Sequence, residues 1–195
     1  MSGMSREDHV NGPRSSVKLT YEDFLEFPDD GQRHEIIDGE HYVSATPVPR
    51  HQLIVGNLHV HLRLFLDRTK LGTIFGSPVD TVLSQFDVIA PDLIYVSKER
   101  HAVIGDKNLV GAPDLVIEVL SPSTRRRDEV LKRRLFERTD VREYWTVDPK
   151  LEAIKIYRRD AAAFPLVADL SRERGDVVTT PLLPDFTLPL DKVFE

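Results

Sequence analysis

The sequence predicts a mixed α/β fold with an N-terminal β-hairpin, and three observations predict it. Asp38-Gly39 separates two β-favouring segments, the strongest short signal for a two-residue hairpin. Two stretches, His51 to Lys70 and Arg127 to Arg138, place apolar residues at helical spacing. Between and after them run short apolar segments of strand length, two of which open with Pro-Asp.

Taken in order, the elements each have a local reason. Residues 1–17 carry only scattered apolar side chains and no apolar core of a secretory leader, so a disordered tail is expected there. Leu19 to Leu25 reads as a short helix with Thr20 as N-cap. His34-Glu35-Ile36-Ile37 and Glu40-His41-Tyr42-Val43 form the arms of the hairpin. Ile54, Leu58, Leu62 and Phe65 then recur on one helix face, and Gly72 is expected to end that helix. Thr73 to Ser84 reads as one broken strand with an irregularity at Pro78. Strands follow at Pro91 to Val96 and Pro113 to Leu120, then a helix from Arg127 to Arg138 with Leu131, Leu135 and Phe136 on its apolar side. Glu143 to Val147 is a further strand, turned by Asp148-Pro149 into Ala153 to Tyr157, and short strands and turns complete the chain.

Composition sets the outer bounds. A chain of 195 residues suits one domain, here 18–195, and buries roughly 70% of its unfolded surface. Hydrophobic residues at 41% and charged residues at 30% describe a globular protein. No apolar run approaches the ~18 residues of a membrane span, so no membrane partner is expected. With no cysteine, disulfides, thiolate catalysis and cysteine-based zinc sites are excluded, which is compatible with a reducing cytoplasm. The net charge of −6 argues against a constitutively sticky nucleic-acid binder and leaves room for a local basic patch.

The chemistry concentrates around one interrupted apolar run. Glu118 breaks Leu115-Val116-Ile117 and Val119-Leu120, a strand of the kind covered on both faces. A carboxylate there must be paired, protonated or metal-bound, because an isolated buried charge is expensive. Asp92 and Asp114 each open a strand within Ala-Pro-Asp-Leu. Asp114 and Glu118 share a face but stand four residues apart, roughly 13 Å along a strand and too far to share an ion. Asp92, arriving on a neighbouring strand about 5 Å away, can sit beside Glu118. Asp92 and Glu118 are therefore the expected metal pair, and Asp114 the structural acid. Lys132 lies one turn after Asp128 at the border of the apolar stripe. From the helix that follows the Glu118 strand it would reach back to the two carboxylates, to hold an attacking water or stabilise phosphorane charge.

Other candidates carry weaker signals. His59 and His61 stand about 200° apart on their helix and cannot chelate one ion. His51 is expected to serve the start of that helix. Pro122 to Arg138 holds seven Arg or Lys against three acids. Arg125, Arg126, Arg127, Arg133 and Arg134 in this run would seat a phosphate backbone, the alternative being an ordinary solvated face. No aromatic residue interleaves with the basic side chains there, so base stacking is not indicated by that run.

The ordered set Pro91-Asp92, Glu118-Val119-Leu120-Ser121-Pro122-Ser123, Arg127-Asp128 with Lys132, and Glu143-Tyr144-Trp145 before Val147-Asp148-Pro149 resembles the Uma-two family of restriction-endonuclease-like proteins, a branch of the PD-(D/E)XK nuclease superfamily. The resemblance extends to Glu35-Ile36-Ile37-Asp38-Gly39-Glu40, His51-Gln52 and Pro184 to Asp191, covering nearly everything from Leu19 onward. It implies a restriction-endonuclease-like core, a central mixed sheet flanked by helices, with the hairpin as an extension. Leu120 stands where the superfamily motif asks for lysine, and the resemblance implies that the lysine has moved to the following helix, as Lys132. Glu35 and Glu40 match acidic positions of the family's N-terminal motif. Glu35 is preferred, since Ile36 and Ile37 suggest a partly buried strand.

The expectation that follows is a metal-dependent DNA endonuclease. Asp92 and Glu118 would hold Mg²⁺, with Mn²⁺ as substitute, Lys132 and Glu35 would complete the catalytic set, and DNA would be the partner, with a homodimer and a cytoplasmic location. The rival is an inactive nuclease-fold module that only binds nucleic acid or a protein partner.

Overall fold

In a computed structural model, residues 17–161 and 163–195 are described, so nearly all of the expected N-terminal tail lies outside the described residues. Helix α1 (Tyr21–Leu25) starts with a reciprocal capping box between Thr20 and Asp23. Strands β1 (Arg33–Ile37) and β2 (Glu40–Ser44) pair antiparallel, Ile37 opposite Glu40, across an Asp38-Gly39 turn with both residues at positive φ. Helix α2 (Pro49–Thr69) buries Ile54, Leu58, Leu62 and Phe65 as their spacing requires. It ends one step earlier than expected, on Lys70 in the left-handed region. Gly72 opens the next strand instead, where a Cβ would collide with the Val96 carbonyl.

Strands β3 (Gly72–Gly76), β4 (Thr81–Ser84), β5 (Asp87–Ile89) and β6 (Leu93–Ser97) follow, then a 3₁₀ segment (Lys98–Val103), β7 (Leu109–Val110) and β8 (Leu115–Val119). A π-helical turn over Arg127–Lys132 runs directly into α3 (Arg133–Arg138). Strands β9 (Glu143–Asp148), β10 (Ala153–Arg158), β11 (Leu166–Ser171), β12 (Val177–Thr180) and β13 (Leu183–Pro189) lead to α4 (Leu190–Phe194).

The main sheet has the order β11-β10-β9-β8-β6-β3, and only its β8–β9 pair is parallel. The hairpin is no free extension. It enters a second sheet, β2-β1-β5-β4-β7. The segment read as one broken strand is thus two strands, β3 and β4, in different sheets. Alternation along β8 sorts the layers. Leu115, Ile117 and Val119 pack with α2, α4 and β13 in the larger core. Val116 faces the other way, onto Leu135 and Phe136 of α3, and Ile37 and Ile89 of the second sheet join it there. Glu118 shares the parity of Val116, so its carboxylate enters the layer between the two sheets.

Candidate active site

Four carboxylates meet in that inter-sheet layer, each delivered by a different element. Asp92 lies just before β6, and β6 and β8 pair with Leu93 opposite Ile117, which sets Asp92 beside Glu118 and Val119. The Val119 N–H donates to Asp92 Oδ2 at 2.9 Å. Arg33 from β1 donates to Asp92 Oδ1 at 2.9 Å, and His51 Nε2 stands 3.2 Å from Oδ2. Lys132 is completely buried, its Nζ 2.6 Å from Glu118 Oε1, 2.7 Å from Glu35 Oε1 and 3.5 Å from Asp128 Oδ1. The lysine expected at the border of an apolar stripe is therefore the cationic centre of the cluster. Glu35 also accepts from the Ala90 N–H and faces Arg127 Nε at 3.4 Å.

Four carboxylates against three permanent cations (Arg33, Arg127, Lys132) leave a surplus acid in a dry layer, and the proton affinities follow. Burial lifts Glu118 to about 8 against the pull of Lys132, with Asp92 and Asp128 adding to the lift. Burial likewise raises Asp128. In Asp92 burial works upward too, but the His51 contact, the Arg33 charge and the Val119 N–H outweigh it and hold that carboxyl below its ordinary range. In Glu35 the charges of Lys132, Arg127 and Arg33 win in the same way. Burial would lower Lys132, yet Glu118, Glu35 and Asp128 together hold its ammonium above the usual value.

The donor chemistry suits a hard cation. Glu35 Oε2 and Asp128 Oδ1 are buried without a hydrogen-bond partner, whereas both oxygens of Asp92 are engaged by Arg33, Val119 and His51. Among the described residues no three His, Asp or Glu side chains converge to cage a metal. Asp92 also reaches the floor of a cleft of about 710 Å³, where Arg33 stands beside it.

Comparison with known proteins decides the family. The model of the Uma2 family, described as "Putative restriction endonuclease", matches residues 21–191. The chain belongs to the Uma2 family. Its structure is similar to the crystal structure of a protein from Anabaena variabilis described as a "putative nuclease", with a TM-score of 0.76 and 18% identity over 90% of this chain and 97% of that one. At that identity the likeness shows the fold alone. No curated protein matches the sequence. Membership of the Uma2 family supports nuclease activity.

Within this Uma2 chain the remaining expected residues separate clearly. Glu35 stands in the cluster, while Glu40 is exposed and accepts from the Tyr42 hydroxyl. Asp114 is fully buried 17 residues past Ser97 and accepts its N–H at 2.7 Å, with Arg142 at 2.9 Å, away from Lys132. Of the five arginines expected to seat a phosphate backbone, Arg127 is a correction. It turns inward to Glu35 and Ser44, because the π turn rolls it onto the buried side with Asp128 and Lys132. Arg125 pairs with Asp148 and Glu129, Arg133 lies over the Tyr157 ring, and Arg126 and Arg134 are exposed. His59 lines the cleft and His61 a separate pocket, as their angular separation requires. Sequence reasoning missed Arg33 and the His51 contact to Asp92. Asp128 had an available signal, its four-residue spacing from Lys132.

Proposed function

We propose that this protein is a divalent-metal-dependent endonuclease that hydrolyses phosphodiester bonds of DNA. The observation that carries the reading is Lys132 Nζ, buried and held between Glu118 and Glu35 beside the strand that delivers Asp92. A cluster of strongly perturbed groups at the foot of a cleft is the arrangement that catalytic sites need and folding alone does not.

Asp92 and Glu118 would hold Mg²⁺ or Mn²⁺, which when bound polarises the scissile phosphate and eases ionisation of a bound water. Arg33, at the cleft floor, offers its guanidinium to a phosphate oxygen. Lys132 supplies fixed positive charge where the phosphorane gains negative charge, and Glu35 holds that ammonium in place. Arg126 and Arg134 are exposed and would meet flanking phosphates.

Glu118→Gln tests this reading. With Mn²⁺ and defined DNA substrates, cleavage by the variant is expected to fall by at least about a hundredfold. Cleavage at the wild-type rate would contradict the assignment. The competing reading, a module that binds without cutting, draws on the full engagement of Asp92 by Arg33, His51 and Val119. Retention of DNA with no millimolar Mg²⁺ or Mn²⁺ binding would favour it.

A further inference from the structure

We propose that the cleft above Asp92 accepts an unpaired nucleotide, so that the substrate class is single-stranded nucleic acid or an unpaired stretch within a duplex. The inference rests on the nuclease reading above for the chemistry and on the cleft itself for the substrate.

The recess of the acid is the first argument: Asp92 is only 4% exposed where it lines the cleft. Glu118 and Lys132 lie behind the cleft floor, and Asp92 and Arg33 are the members of the cluster that line it. A cavity of about 710 Å³ has the size of a small-ligand pocket. A duplex is read on its outside, through grooves roughly 12 and 6 Å wide. A single strand can bend a nucleotide down to that floor.

Charge is the second. Arg33 is the one Lys or Arg among the lining residues, whereas Asp29, Asp80 and Asp92 are acidic. None of the exposed arginines of the π turn and α3 lines the cleft. The lining therefore offers a seat for one phosphate and disfavours a second beside it, so one nucleotide enters while the rest of the strand stays outside.

The walls supply the rest. Phe24, Phe27 and His34 line one part of the cleft, and Phe27 and His34 pack on His41 with ring centroids 4.4 and 5.1 Å away. Phe24 and Phe27 also pack on each other and on the Ile36, Val82 and Val88 core, so the half-buried cluster presents only its cleft-side surface. An aromatic surface beside a single phosphate seat is an element of sequence-tolerant base stacking. The rings come from α1 and the segment after it, which is why the basic run alone did not indicate stacking. Gly56 lies in the middle of α2, exposed on the cleft, where a Cβ would meet no atom within 4 Å. Packing within the chain does not require glycine there, and its absent side chain leaves room for the close approach of a sugar and base.

Fluorescence anisotropy tests the inference, with Ca²⁺ in place of Mg²⁺ so that binding is read apart from turnover. The probes are a short labelled oligothymidylate, its duplex with oligoadenylate, and an oligouridylate. Either single strand is expected to bind at least about ten times more tightly than the duplex. Gly56→Gln fills the wall, and Phe27→Leu keeps apolar volume while removing the ring. Each is expected to weaken single-strand binding about tenfold, with the thermal midpoint unchanged or raised for Gly56→Gln and lowered for Phe27→Leu, whose ring also packs on Phe24, His34 and His41. Duplex bound as tightly as single strand, or wild-type affinity in both variants, overturns the inference. A protein that binds single strands and never cuts them refutes the nuclease reading alone. One that cuts fully paired DNA as fast as single strands refutes this inference and leaves nuclease activity standing.

Discussion

Lys132 is a buried structural cation to which the proposed function also gives a chemical role. Helical spacing put it at the edge of an apolar stripe, yet it is wholly enclosed by Glu118, Glu35 and Asp128. Lys132→Met leaves three carboxylates in a dry layer without their shared partner, and breaking such a buried set costs about 3–5 kcal/mol. Chemical denaturation is expected to show that loss in metal-free protein, and single-turnover cleavage should fall at least about a hundredfold. Glu118 gives the pH dependence its sign. Its folded value of about 8 lies above its ordinary 4.5, so the folded state binds the extra proton between those limits. Metal-free stability should therefore fall as pH rises through that window, and Mg²⁺ should restore it most at the alkaline end. Asp92 and Glu35, held below their ordinary values, act oppositely, and their contribution is lost as pH falls into the acid range. A thermal midpoint measured against pH, with and without Mg²⁺, checks both arms. The pairing of Asp92 with Glu118 was readable because strand spacing is fixed. Arg33 and the inward turn of Arg127 were not, because they depend on which sheet meets which helix.

The elements divide along the same line. The Asp38-Gly39 hairpin, the capped α1 and the apolar face of α2 are set by residues within a few positions of one another, and all three stand as expected. The second sheet escaped because β5 has three residues and β7 two, too few to show alternation. The π turn escaped because the apolar spacing of the segment also fits an ordinary helix; its widening brings Arg127, five residues before Lys132, round to the buried side with it. Asp114 does the mechanical work at the far end of β8. Its carboxylate accepts from the Ser97 N–H and pairs with Arg142, while its carbonyl accepts from Arg142 and Glu143, tying β6, β8 and β9 together. Asp114→Asn is expected to cost about 2 kcal/mol in urea titrations through the lost charge-assisted bonds.

Across the molecule, the same fold persists in a structure with only 18% sequence identity, because the layered core depends on the alternation of apolar residues more than on their identity. No helix among the described residues is long and apolar enough to cross a membrane. With a net charge of −6, the proposed DNA association would depend on local cations rather than on the whole surface. Replacing Arg126 and Arg134 by Met should weaken DNA binding and reduce its salt slope by about one per lost phosphate contact, with the single-turnover rate unchanged. Titration of metal-free protein with Mn²⁺, run in parallel on wild type, Asp92→Asn and Asp114→Asn, asks whether the inter-sheet cluster is a metal-dependent centre. Wild type and Asp114→Asn should bind Mn²⁺ and Asp92→Asn should not; binding retained in Asp92→Asn and lost in Asp114→Asn would place the metal elsewhere and overturn the account.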